Sequence, residues 1–176
     1  MINKPEYSLP RRNFLRGQFL NSLKTEDVKK QGYAVIRPPW ANPDKFLDKC
    51  TACGNCITHC EAQILVRDQD GYPYVDFSQG KQECLFCKAC VTSCKVNLFR
   101  STDEIAWQHK VEIQTNCLAN KLIECRSCED SCEQRAIRFK REIGKVAKPL
   151  LNLELCNGCG ACLSSCPTQA ITILYL

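Results

Sequence analysis

The 176-residue chain is predicted to be an α+β protein of two tandem lobes, each a small antiparallel sheet with short helices, behind an extended N-terminal arm. Three observations carry that prediction. All 16 cysteines fall into four blocks of four. The step from Cys60 to Cys84, which joins the first two blocks, equals the step from Cys132 to Cys156, which joins the last two. Between and after the blocks come short apolar and β-branched runs punctuated by turn residues, too short for a large core.

Three blocks share one spacing: Cys50-x2-Cys53-x2-Cys56-x3-Cys60, Cys84-x2-Cys87-x2-Cys90-x3-Cys94 and Cys156-x2-Cys159-x2-Cys162-x3-Cys166. The remaining block, Cys117-x7-Cys125-x2-Cys128-x3-Cys132, keeps the last three positions and displaces the first. A short loop can wrap three evenly spaced thiolates around three corners of an iron–sulfur cube. The fourth cysteine of such a run reaches the other cluster of a pair. The lobes are therefore read as two bacterial-type 2[4Fe–4S] ferredoxin units holding four clusters in all. Cluster 1 takes Cys50, Cys53, Cys56 and Cys94; cluster 2 takes Cys84, Cys87, Cys90 and Cys60. Cluster 3 takes Cys117, Cys125, Cys128 and Cys166; cluster 4 takes Cys156, Cys159, Cys162 and Cys132.

Gly54, Gly158 and Gly160 stand between ligands, where the backbone must turn sharply. Loop amides there can donate to the sulfurs, a lever on reduction potential. In the displaced block, either Cys117 ligates across a bulged loop or its cluster has three ligands and an easily lost iron; the reading adopted is ligation. Only Cys166 is followed by proline, Pro167.

Two rival uses of the thiols are weaker. A disulfide scaffold needs an oxidising compartment. A structural zinc site needs four ligands, usually two separated pairs, and leaves the third evenly spaced cysteine without a role.

Taken in order, residues 1–43 form the basic arm, punctuated by Pro5, Pro10, Pro38, Pro39 and Pro43. Phe14 to Lys30 can hold a short helix with Phe14, Leu15, Phe19, Leu20 and Leu23 on one side. Such a stripe suits packing on the protein's own lobe or binding a partner equally well. The first lobe spans 44–100, with Ile64–Val66 and Tyr72–Val75 flanking Asp70-Gly71 as a hairpin. A linker, 101–107, leads to the second lobe, 108–176. There Val111–Ile113 and Ala170–Leu176 are expected to pair as outer strands. Ile137, Phe139, Leu151, Leu153 and Leu155 supply an inner hairpin, with Gly144 and Pro149 in its connection. Trp40 and Trp107 are expected to pack against a lobe. His59 and His109 are read as ordinary surface or loop residues.

Residues 1–49 carry ten Lys/Arg against five Asp/Glu, and the remaining residues fourteen of each. Each oxidised cluster with four thiolates carries roughly −2, so bound clusters make the lobes acidic against a basic arm. The scattered basic residues lack an aromatic stacking platform, so no nucleic-acid partner is expected. No segment reaches the 18 or so apolar residues that a membrane span needs. No phosphate-cradling loop, nucleophile–base pair or nucleotide fingerprint is present, so no enzyme activity is expected.

Ser8-Leu9-Pro10-Arg11-Arg12-Asn13-Phe14-Leu15-Arg16-Gly17 resembles a twin-arginine export motif. Polar and charged residues from Gln18 to Asp27 break the apolar run that should follow, so a cytoplasmic location is expected. Four such cysteine blocks behind this arm resemble the NapF family, ferredoxin-type accessory proteins of the bacterial periplasmic nitrate reductase system. The resemblance runs from Arg11 to Cys166. It implies binding to the precursor of the catalytic molybdenum subunit and help in its maturation before export, with Arg11, Arg12, Phe14 and Leu15 as candidate partner contacts. The alternative is a polyferredoxin that transfers electrons, alone or as the entry subunit of a larger oxidoreductase.

Overall fold

The structure, a computed structural model, describes residues 35–175. The expected arm helix lies outside these residues, as do Arg11, Arg12, Phe14, Leu15 and the terminal Leu176. Ile36 opens one compact unit that runs to the C-terminus. Its elements are α1 (Phe46–Lys49), α2 (Asn55–Thr58), β1 (Leu65–Arg67), β2 (Pro73–Val75), α3 (Ala89–Thr92) and β3 (Lys110–Ile113), then a 3-10 turn (Ala119–Lys121). There follow α4 (Ser127–Asp130), β4 (Ile137–Glu142), β5 (Lys145–Leu151), α5 (Ala161–Ser165) and β6 (Ile171–Leu174). Each element is brief because the chain must return to a cysteine loop every few residues.

The expected hairpin of the first half forms, with Leu65 opposite Val75 and Arg67 opposite Pro73. Asp68 templates its turn: Oδ1 accepts the amides of Asp70 and Tyr72 at 3.1 and 2.8 Å. Pro73 takes the first position of its strand, where a missing donor does least harm. Residues 36–42, read from sequence as the end of the arm, pair with this half. Val75 N–H donates to Ile36 O at 2.7 Å, Asn42 N–H to Leu98 O at 3.1 Å and Arg100 N–H to Trp40 O at 2.8 Å. The core joins Ile36 to Ile64, Leu65, Val75, Phe77, Cys90 and Trp107. Trp40 and Trp107 are both buried, as expected.

In the second half the outer strands pair as expected, β3 antiparallel to β6, with Val111 opposite Ile173 and Ile113 opposite Ile171. The inner hairpin departs from expectation in detail. Its connection is only Ile143 and Gly144, since Glu142 already faces Lys145. Gly144 supplies the positive φ, +74°, that so tight a turn requires. Pro149 therefore sits within β5 opposite Phe139, not in the connection. That is tolerable because each sheet among the described residues has two strands, so every strand is an edge. Leu151 pairs with Ile137, whereas Leu153 and Leu155 lie beyond the strand and are exposed. The core of this half combines Val111, Ala119, Ile137, Phe139, Ala170 and Ile171 with four cysteines. In both halves the short helices pair, α2 with α3 and α4 with α5.

Candidate metal centre

The fold gathers the cysteines in sets that cross the sequence blocks. One cavity is lined by Cys50, Cys53, Cys56 and Cys94, another by Cys60, Cys84, Cys87 and Cys90. In the second half, Cys117, Cys125, Cys128 and Cys166 line one, and Cys132, Cys156, Cys159 and Cys162 the other. Each set thus takes three thiols from one block and its last from the paired block. The pairing of helices across the blocks produces this exchange, since α2 and α3 carry each block's final cysteine toward its neighbour. All sixteen cysteines are free. Among the described residues, no three or more His, Cys, Asp or Glu side chains meet closely enough to hold a single ion. The thiols ring a space instead. Four soft sulfur donors around a volume, without a competing imidazole or carboxylate on the lining, suit an iron–sulfur cluster.

The backbone repeats one shape around the second cysteine of each regular block. The residues on either side are left-handed: Ala52 and Gly54 (φ +52° and +83°), Phe86 and Lys88 (+51° and +64°), Gly158 and Gly160 (+78° and +92°). Glycine meets that demand without strain in the last block; Ala52, Phe86 and Lys88 meet it at a cost of roughly 1–2 kcal/mol each. One such turn points an amide inward, with Phe86 N–H reaching Cys84 Sγ at 3.4 Å; after the last block, Ala170 N–H reaches Cys166 Sγ at 3.1 Å. The displaced block is built differently. Its insertion forms the 3-10 turn, leaves it through a left-handed Leu122 (φ +63°), and Arg126 after Cys125 is not left-handed. Cys117 is nonetheless buried and lines the third cavity with its three partners.

Burial pushes the thiols of Cys84, Cys90, Cys128 and Cys162 up to about 12, and that of Cys56 to about 11. Neighbouring thiols of the same set add to the rise. Metal binding to these groups must therefore release protons. Cys53 is the contrast: it is exposed, and the Asn55 amide followed by the Thr51 hydroxyl hold it below the ordinary value.

Three clamps around these loops escape a reading of cysteine spacing. The exposed Arg67 guanidinium donates from Nη1 to Ala52 O at 2.8 Å and Gly71 O at 3.2 Å, bracing the first loop. Lys110 Nζ donates to Cys156 O. His109, read as an ordinary surface or loop residue, does lie in a loop, just before β3, but is buried there, with Nε2 at 2.9 Å from Gly158 O. Burial holds His109 below its ordinary value, the Gly158 contact opposing and the nearby Lys110 assisting. The cause of its burial is the aromatic cluster around it, Trp107 at 5.0 Å and Phe77 at 6.4 Å between ring centroids. A lone His two residues after a Trp carries no sequence signal of that environment. His59 is exposed, as expected, its Nδ1 at 2.8 Å from Asn55 O.

Two family models match the chain, each described as a 4Fe-4S dicluster domain, over residues 49–98 and 123–173. The second match begins inside the insertion and leaves Cys117 outside. The chain is 47% identical over 167 residues to the ferredoxin-type protein NapF of Haemophilus influenzae, covering 94% of each chain. It is 47% identical over 142 residues to NapF of Escherichia coli, covering 80% of this chain and 85% of that protein. A more distant similarity, 26%, is to a subunit of the ion-translocating oxidoreductase complex of Methanosarcina acetivorans, covering 70% of this chain and 46% of that protein. Among the described residues no helix is long and apolar enough to cross a membrane. The tandem dicluster domains, their crossed thiol sets and near-full-length identity together place the chain in the NapF family of ferredoxin-type iron–sulfur proteins, with 4Fe–4S clusters as its cofactors.

Proposed function

We propose that the chain is a cytoplasmic accessory protein, holding four [4Fe–4S] clusters, that binds the immature catalytic subunit of periplasmic nitrate reductase and assists its maturation before export. The observation that carries this reading is the set of four crossed thiol rings in a chain 47% identical to NapF. Each ring takes one cluster, with the ligands assigned in the sequence analysis. The charged stretch after Arg11-Arg12 supports the cytoplasmic location. When bound, the clusters supply one-electron chemistry and labile iron and sulfide. The chain's own groups hold the sulfurs, aim amides at them and limit water. It has no substrate of its own.

Protein purified without oxygen is expected to contain about sixteen irons and as many sulfides, four per cluster. Pull-down at low salt is expected to capture the export-signal-bearing precursor of the catalytic subunit, and not the mature enzyme. Absence of any complex with the precursor sinks the maturation role.

The similarity to an ion-translocating oxidoreductase subunit supports a second reading, a polyferredoxin that passes electrons to a larger enzyme. Rapid reversible reduction of every cluster with transfer to a redox partner, and no precursor complex, selects that reading.

A further inference from the structure

The two halves meet at a seam that sequence order does not predict. Cys84 N–H, in the loop of the second thiol set, donates to the carbonyl oxygen of Cys159, in the loop of the fourth, at 2.8 Å. Around this bond the same two loops are packed together by rings. Phe86, two residues on from Cys84, lies edge-on to Trp107 with centroids 5.6 Å apart, and Trp107 lies 5.0 Å from His109. His109 in turn grips Gly158. Gly160 completes the fit, since a Cβ there would come within 2.3 Å of the Phe77 ring. Leu163 and Ile173 of the second half also pack on the core of the first.

We infer that the second and fourth cluster sites adjoin across this seam, so that the four sites lie in space as first, second, fourth, third, a single file rather than two separate pairs. The inference rests on the four-cluster reading above. The outer steps follow from the ligand exchange: Cys60 and Cys94 tie the first site to the second, and Cys132 and Cys166 tie the third to the fourth. The seam supplies the middle step. The file ends at the first site, where Cys53 is exposed, and at the third, whose inserted loop carries the exposed Leu122 and Ile123.

The test isolates the middle pair. A Cys50→Ala/Cys53→Ala/Cys117→Ala/Cys125→Ala variant, which leaves the first and third sites two thiols each, purified without oxygen and reduced with dithionite, is expected to retain about eight irons. Its electron paramagnetic resonance spectrum is expected to show mutual spin–spin splitting of two reduced clusters. Two clusters giving independent, unsplit signals overturn the inference. Should the variant fail to hold them, amide exchange in the unaltered holoprotein decides: Cys84 N–H, outside any strand or helix, is expected to exchange at least ~10-fold more slowly than the exposed amides beside it. Free exchange at Cys84 overturns the seam. Unaltered protein with clearly fewer than about sixteen irons fails the four-cluster reading instead, and the Cys84 amide then judges the seam alone.

Discussion

The Nε2 atom of His109 lies 2.9 Å from the carbonyl oxygen of Gly158, joining the segment before β3 to the loop between Cys156 and Cys159. The ring is buried and fixes a left-handed glycine, so the loop's shape depends on the imidazole Nε2–H donor. Replacing His109 with Leu leaves the Gly158 carbonyl short of its partner at a cost of about 1–3 kcal/mol. The thermal midpoint of the holoprotein, followed by loss of its brown absorption, is expected to fall by roughly 2–10 °C.

The burial of the same ring sets a pH dependence. Burial holds His109 below its ordinary value, with Lys110 assisting and Gly158 opposing, so the unfolded chain binds this proton more readily than the folded one. The stability contributed is complete above the ordinary value of 6.5 and is lost as pH falls below it. His109→Gln keeps a donor without the titration. Its midpoint, relative to unaltered protein, is therefore expected to improve between about pH 7.5 and pH 5.5. Parallel curves for the two proteins contradict this account.

Gly160 combines φ +92° with a Cβ position 2.3 Å from Phe77 Cδ1. Gly160→Ala is expected to lower iron content and stability together, because backbone strain of roughly 1–2 kcal/mol adds to a clash in the core. Gly144 is the control: its φ is +74°, yet nothing lies within 4 Å of its Cβ position. Gly144→Ala should cost only the backbone term and leave iron content unchanged. Equal iron loss in both variants argues against the packing role of Phe77.

Arg67 ties Ala52 O and Gly71 O together beside the first thiol set. Its side chain is at the surface, so Arg67→Ala is expected to change global stability by less than about 1 kcal/mol. The local effect is larger. On exposure to an iron chelator, about a quarter of the iron is expected to leave in a new fast phase, the share of one cluster under the proposed four-cluster reading. Uniform release from all sites excludes the clamp.

Leu122 is 70% exposed and left-handed at φ +63°. Asn tolerates that region better than Leu, so Leu122→Asn is expected to raise stability by up to about 1 kcal/mol without altering iron content. A drop in iron content would mean that the leucine shields the third site.

Much of the site was legible because cluster ligation is a local rule. Three thiols at even spacing on one loop, with a fourth just beyond, define both the cluster type and the crossed pairing, and the cavities gather those sets. The Asp70-Gly71 hairpin and the β3–β6 pairing were legible for the same kind of reason, turn chemistry and alternation. The inner hairpin was less so. Pro149 looked like a turn residue, and only the two-stranded sheet, with both strands at an edge, makes its place in β5 acceptable.

Left-handed Ala52, Phe86 and Lys88 show a different limit. Glycine advertises a positive φ; these residues hold one because the loop forces it on them. His109 likewise carries no mark of burial.

From its own residues the chain determined the metal chemistry, the thiols' grouping and the small strands that frame them, since each depends on atoms a few positions apart or on a repeated interval. Tertiary structure alone decided which loops touch across the two halves and that an imidazole is sealed among rings. Those outcomes depend on how two packed surfaces fit, and a surface's shape is shared among residues too distant in the chain for any local pattern to record.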